Sequence, residues 1–274
     1  EMTPWIAALI AMFGWWFSTG ASLMAVKMAD QAGARARKTA TLVGLPLLIC
    51  GTFGIWWTLE DASVLGAYIA FLSALAIWGW IELAFLTGII TGPHREVLHV
   101  FLEGWPRFLR AVGTVIYLEL LLASSFVALF FLTFEAPNIF GMLTFGVLFF
   151  ARISAKLNLF FGVPRIHAEF LPAALSHLPS HFRYRRGNWF FPISVTLLTL
   201  AIFCWLERLY MAETAGALTG FALLSALTAL ALLEHWVMVL PIPDERLWRW
   251  MMPACPPAQT RHNQNTETGG HHGL

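Results

Sequence analysis

The stretch VLGAYIAFLSALAIWGWIELAFLTGIITG, residues 64–92, carries one charged side chain, Glu82, in an otherwise apolar and small-residue run. A bilayer core about 30 Å thick is crossed by about 20 residues of helix. The run is continuous and does not alternate, so it reads as a spanning helix and not as an outer-membrane strand. Six more runs of this kind follow from the same reading: 5–26, 39–58, 112–133, 139–161, 189–210 and 214–240. The first lacks a basic leader and exceeds the apolar length of a signal peptide, so it is expected to be a retained span. The predicted fold is all-α: a polytopic transmembrane bundle of seven spans in one domain over 1–255. A disordered polar tail over 256–274 is expected to follow.

Composition agrees. Of 274 residues, 58% are apolar and only 12% charged, with 13 Trp and 23 Phe; mean hydropathy is +0.67. Soluble domains carry about 25% charged residues. This excludes a soluble globular enzyme, a disordered chain and a nucleic-acid binder. The net charge of +1 says little about partners. Cys50, Cys204 and Cys255 have no metal-ligand spacing and imply no disulfide framework.

The placement of charge is more informative. With seven spans, all of the 17 lysines and arginines but Arg208 fall on one side, from Lys27, Arg35, Arg37 and Lys38 through Arg183, Arg185 and Arg186 to Arg246, Arg249 and Arg261. The positive-inside rule then predicts an outer N-terminus and a cytoplasmic C-terminus. The opposite loops are short and acidic, with Glu60, Asp61, Glu135, Glu207 and Glu213. Two longer segments lie on the basic side. Residues 92–111 are predicted to form an interfacial helix broken at Pro106, and 161–190 a loop with a short helix between Pro172 and Pro179. The RYRR cluster at 183–186 reads as an ordinary positive-inside signal facing anionic lipid.

Ionisable groups within spans are costly and often functional. Here they are Glu82, Glu119, Arg152, Lys156 and Glu234, the last beside His235. Arg152 and Lys156 share a helix face at i,i+4. Two readings stand: Glu82 and Glu119 each pair with one of these two cations and pin helices together, or the groups line a polar pocket open to the basic side. Trp15, Trp16, Trp78 and Trp80 lie deep and need packing partners or a ligand.

A metal is a further possibility. His94, Glu96 and His99 form H-x-E-x-x-H, with Glu96 and His99 at the i,i+3 spacing of helical metal bundles. Candidate metal ligands are Glu96, His99, Glu103, Glu119, His167, Glu169, Glu234 and His235. The pattern is incomplete, because only one Glu-x-x-His unit exists, and there is neither HExxH order nor a C-x-x-C-H haem motif. His235 is the best single candidate for axial ligation of a tetrapyrrole pigment.

The segments KLNLFFGVPRIHAEFLP (156–172), FRYRRGNWFFPISVTLLT (182–199), LLEHWVMVLPIPDERLWRW (232–250) and GTVIYLEL (113–120) resemble the PuhE family, photosynthetic complex assembly proteins of purple and related phototrophic bacteria. The resemblance extends over most of the chain and rests on no short diagnostic motif. It implies a multi-pass inner-membrane protein, cytoplasmic or intracytoplasmic, that supports reaction-centre or antenna assembly or bacteriochlorophyll supply. The implied partners are the lipid bilayer, reaction-centre or light-harvesting subunits and bacteriochlorophyll enzymes. It brings no catalytic residues. The alternative is a metal-dependent membrane oxidoreductase or tetrapyrrole-modifying enzyme. A transporter is disfavoured, since no inverted repeat or pair of broken helices is visible.

Overall fold

The computed structural model describes residues 4–97, 102–166 and 171–240. Nine α-helices account for most of them: α1 (Pro4–Ala32), α2 (Ala34–Val43), α3 (Leu45–Trp57), α4 (Val64–Leu86), α5 (Gly104–Val112), α6 (Ile116–Thr133), α7 (Phe140–Phe161), α8 (Phe190–Tyr210) and α9 (Ala215–Val237). With α2 and α3 taken together, seven spans are long and apolar enough to cross a bilayer. The all-helical membrane architecture is therefore as expected. Among the described residues β pairing amounts to a single isolated bridge, Val163 with Tyr184.

Element ends differ from the sequence reading for local reasons. Helix α4 stops at Leu86, not at 92. There the Thr87 hydroxyl donates to the Leu83 carbonyl at 2.8 Å, and Gly88 turns left-handed with φ 77°. The amides of Ile89 and Ile90 fold back onto the Ala84 carbonyl, a helix-ending geometry. The second span begins earlier than 39 and is jointed at Gly44, because Pro46 has no amide to continue the ladder. Pro106 lies in the first turn of α5, where a missing amide costs nothing, so it starts that helix instead of breaking it. Between Pro172 and Pro179 the expected short helix is replaced by separate 3₁₀ turns, Ala173–Leu175 and Leu178–His181.

The bundle has a centre and a rim. In α4 61% of the apolar stretch is buried, in α9 56% and in α7 44%, against 17% in α1 and 6% in α8. With no hydrophobic drive between helices inside lipid, close approach must come from small residues and hydrogen bonds. Gly51 and Gly54 let α3 lie on α4: a methyl added at Gly51 would stand 2.7 Å from the Ser73 carbonyl oxygen. Indole donors add polar ties, from Trp80 to the Thr41 carbonyl and from Trp205 to the Thr228 hydroxyl, both at 3.1 Å.

Cross-links between helix ends define two faces. At one, Asn138 donates to the Asp61 carbonyl at 3.0 Å, joining the α6–α7 connection to the α3–α4 turn. At the other, Asp30 accepts from the Ala173 amide, Thr41 meets Thr87, and Arg107 reaches the Phe160 and His181 carbonyls. The second face gathers the ends of α1, α4, α7 and α9 with the basic loops. It is called the basic face below.

Candidate functional site

The four helices that run toward the basic face, α1, α4, α7 and α9, line a cavity of about 280 Å³. Trp15, Thr19 and Ser22 of α1, Trp78 and Glu82 of α4, Arg152 of α7 and Glu234 of α9 line it. The spacing 15, 19, 22 marks one helical face. Three of the intramembrane ionisable groups thus meet at one cavity.

Arg152 forms an ion pair with Glu82. Its guanidinium also lies 5.1 Å from the centre of the Phe85 ring and 5.8 Å from that of Trp78. Both partners are 17% exposed, so the pair is largely dehydrated. Attraction in that setting is strong, and the aromatic faces add to it. Glu234 is different. It lines the same cavity and has no ion-pair or hydrogen-bond partner among the described residues.

The remaining charges are placed elsewhere. Lys156, one turn after Arg152, turns to Glu119 on α6, and its ammonium lies 5.6 Å from the centre of the Phe85 ring. So α7 is clamped on one flank to α4 and on another to α6, with Phe85 near both cations. His235 is 1% exposed. Its Nδ1 lies 2.8 Å from the Ala231 carbonyl and its Nε2 2.8 Å from the Ser154 hydroxyl. The carbonyl can only accept, so Nδ1 carries a proton, and in the neutral ring Nε2 accepts from Ser154. Axial ligation of a pigment by His235 would first have to break the bond to Ser154.

Neutral polar residues continue from there. Asn158, fully buried, donates to the Ser154 carbonyl and the Ser194 hydroxyl, each at 2.9 Å. It also accepts from Asn188 at 3.3 Å. Asn188 in turn caps α8 by accepting from the Phe190 and Phe191 amides. This network joins α7, α8 and α9, and the sequence reading missed it. A single Asn or Ser in an apolar run has many neutral explanations; only its spacing from Ser154 to Asn158, one helical turn, hints at a shared face. Asn158→Leu is expected to cost about 1–2 kcal/mol, the loss of several buried hydrogen bonds offset by added apolar contact. Denaturant unfolding of the detergent-purified protein reads it, and an unchanged midpoint would remove the network from the account.

A family model described as a protein of unknown function, DUF3623, matches residues 2–259. The chain belongs to that family. An uncharacterized 30.4 kDa protein of Rhodobacter capsulatus, described by its position in the puhA 5′ region, is 52% identical over 258 residues, 94% of each chain. No solved structure matches.

In this DUF3623 protein the residues proposed for a metal are spread out. Glu96 and Glu103 are exposed, and Glu96 lies 3.7 Å from Arg110. Glu119 is held by Lys156, and Glu234 and His235 face different surroundings. His99, His167 and Glu169 lie outside the described residues. Among the described residues no three His, Cys, Asp or Glu side chains converge on a common point.

The basic-face loop of the DUF3623 protein holds two buried histidines. His177 and His181 are 5% and 3% exposed. Burial pushes both rings below the ordinary value of 6.5, with Arg95 acting further on His177, and His177, Arg110 and Arg107 on His181; the hydrogen bond to the His177 carbonyl opposes this at His181. The unfolded chain therefore binds protons more readily than the folded one. This contribution to stability is complete above pH 6.5 and is lost as pH falls through the folded-state values. Thermal unfolding between pH 7.5 and 5 should show a declining midpoint, and the double replacement His177→Gln with His181→Gln should flatten that decline. A profile unaltered by the replacement would sink the assignment.

Proposed function

We propose that this protein is an integral membrane factor supporting assembly of the bacterial photosynthetic apparatus, either by holding reaction-centre or antenna subunits or by supplying bacteriochlorophyll to them. The observation that carries this reading is the relative, aligned over 94% of each chain, that is described by its position in the puhA 5′ region. The segments that resemble the PuhE family support it. The reading places the chain in the bacterial inner membrane with the basic face toward the cytoplasm, where subunits and pigment are made.

The cavity is the site we assign to this role. Its volume is near the lower end of ligand sites, about 300–1,000 Å³. It would therefore grip part of a larger partner instead of enclosing a pigment. Aromatic walls suit an apolar body, while the Glu82–Arg152 pair and Glu234 suit a polar edge. No catalytic step is assigned to any residue.

Deleting the gene in its host tests the reading. Near-infrared absorption of isolated membranes is expected to lose a large part of its reaction-centre or antenna bands, and a plasmid copy should restore them. Spectra indistinguishable from wild type would end the proposal.

A further inference from the structure

A second cavity, about 340 Å³, opens on the basic face between α5, the end of α7 and the start of α8. Its walls include Arg107, Arg183, Arg185, Phe160, Asn188 and Trp189. The arginines come from two places in the chain, Arg107 from α5 and Arg183 with Arg185 from the loop before α8, and are held by different means. Arg107 is 7% exposed, donates to the Phe160 and His181 carbonyls, and stacks 4.0 Å above the Phe160 ring. The 183–185 segment is tied by its backbone. The Arg183 amide donates to the Leu159 carbonyl at 3.2 Å, the Val163 amide to the Arg183 carbonyl at 3.1 Å, and the Arg185 amide to the Val163 carbonyl at 3.2 Å. Gly162, at φ 120°, leaves room for the stem of Arg185, whose carbons lie 2.9–3.0 Å from where a Cβ would be.

Positive charge is concentrated here. Among the described residues none of the three guanidiniums pairs with a carboxylate, and Arg183 and Arg185 have no hydrogen-bond partner for their side chains. Burial, then Arg183 and Arg185, lower Arg107 to about 10, so it remains cationic at neutral pH. An ordinary positive-inside signal needs only charge on the correct side. It does not need a buried arginine, a backbone-pinned loop and a concave floor. Guanidinium forks match the oxygens of a phosphate group better than a point charge does. Trp189 and Trp105, both exposed on this face, suit the headgroup level of a bilayer.

We propose that this cavity is a binding site for a phosphate group, supplied by the headgroup of an anionic membrane lipid. Arg183 and Arg185 contact the phosphate oxygens, and Arg107 sets the floor.

The test uses the full chain purified in neutral detergent. It is titrated with short-chain phosphatidylglycerol, short-chain phosphatidylcholine and inorganic phosphate, and read by native mass spectrometry and unfolding temperature. Saturable one-to-one binding of phosphatidylglycerol over phosphatidylcholine is expected. Arg183→Gln and Arg185→Gln should each weaken it about tenfold, the scale of a charge-assisted hydrogen bond. Arg186→Gln is the control: it removes the same charge from the same loop but does not line the cavity, and should change affinity less than about twofold. Saturable binding of inorganic phosphate alone, lost in the same two variants, would keep the phosphate site and reassign its source to a soluble ligand. Equal weakening by Arg186→Gln would reduce the feature to diffuse surface charge and overturn the proposal, as would the absence of saturable binding by either phosphate source.

Discussion

Glu82→Gln is expected to destabilise the bundle by about 3 kcal/mol, near the low end of the cost of stranding one member of a buried pair. The replacement keeps the shape and removes the charge, so Arg152 stays in a mostly apolar setting with its described contacts to Phe85 and Trp78 to offset it. Those rings retain part of the interaction, which is why the low end is expected. The converse experiment decides what the pair is for. In Glu82→Leu with Arg152→Met both charges leave together, no group is stranded, and most of the lost stability should return. If the pair only pins α4 to α7, the double variant will also restore photosynthetic complexes in cells. If it serves the cavity, the double variant will be stable and yet fail to restore them. Detergent unfolding and membrane absorption spectra give the two readouts. A single variant as stable as wild type would show that water or lipid headgroups reach Arg152 freely.

How much of this was legible beforehand depends on the kind of residue. Charges inside apolar runs are conspicuous, so Glu82, Glu119, Arg152, Lys156 and Glu234 could all be picked from the sequence. That Glu82 and Glu119 could each take one of the two cations was legible as well; which cation goes to which carboxylate was not. Arg152 and Lys156 sit one turn apart on α7, and they go to different helices, Arg152 to Glu82 on α4 and Lys156 to Glu119 on α6. That choice depends on the rotation of each helix about its axis, which a run of leucines and alanines does not encode. The span count was readable because bilayer thickness imposes a length. Helix ends were not, because they rest on local devices such as the Thr87–Gly88 stop and the Pro46 joint. His235 illustrates the hardest case. In sequence it is an unattached ring beside a tryptophan, and only the neighbouring turn of α7 supplies the Ser154 hydroxyl that occupies its second nitrogen.

Glu234→Gln is expected to separate function from stability. Glu234 has no partner to strand among the described residues, so the carboxamide should leave the unfolding midpoint within about 0.5 kcal/mol of wild type. An unpaired carboxylate inside a span carries a standing cost that the bundle does not recover through any described contact. Retention of such a group on the wall of a cavity is explained if it meets something on the partner, a hydrogen-bond donor or a cation. On the assembly reading, a strain carrying Glu234→Gln should accumulate the protein at normal levels while its reaction-centre or antenna bands fall toward those of the deletion. Glu234→Asp keeps the charge one methylene shorter and should recover part of the signal. Immunoblots of the protein and absorption spectra of the same membranes make the comparison. Full restoration by Glu234→Gln would detach this carboxylate from the cavity's role and leave Glu82 and Arg152 to carry it.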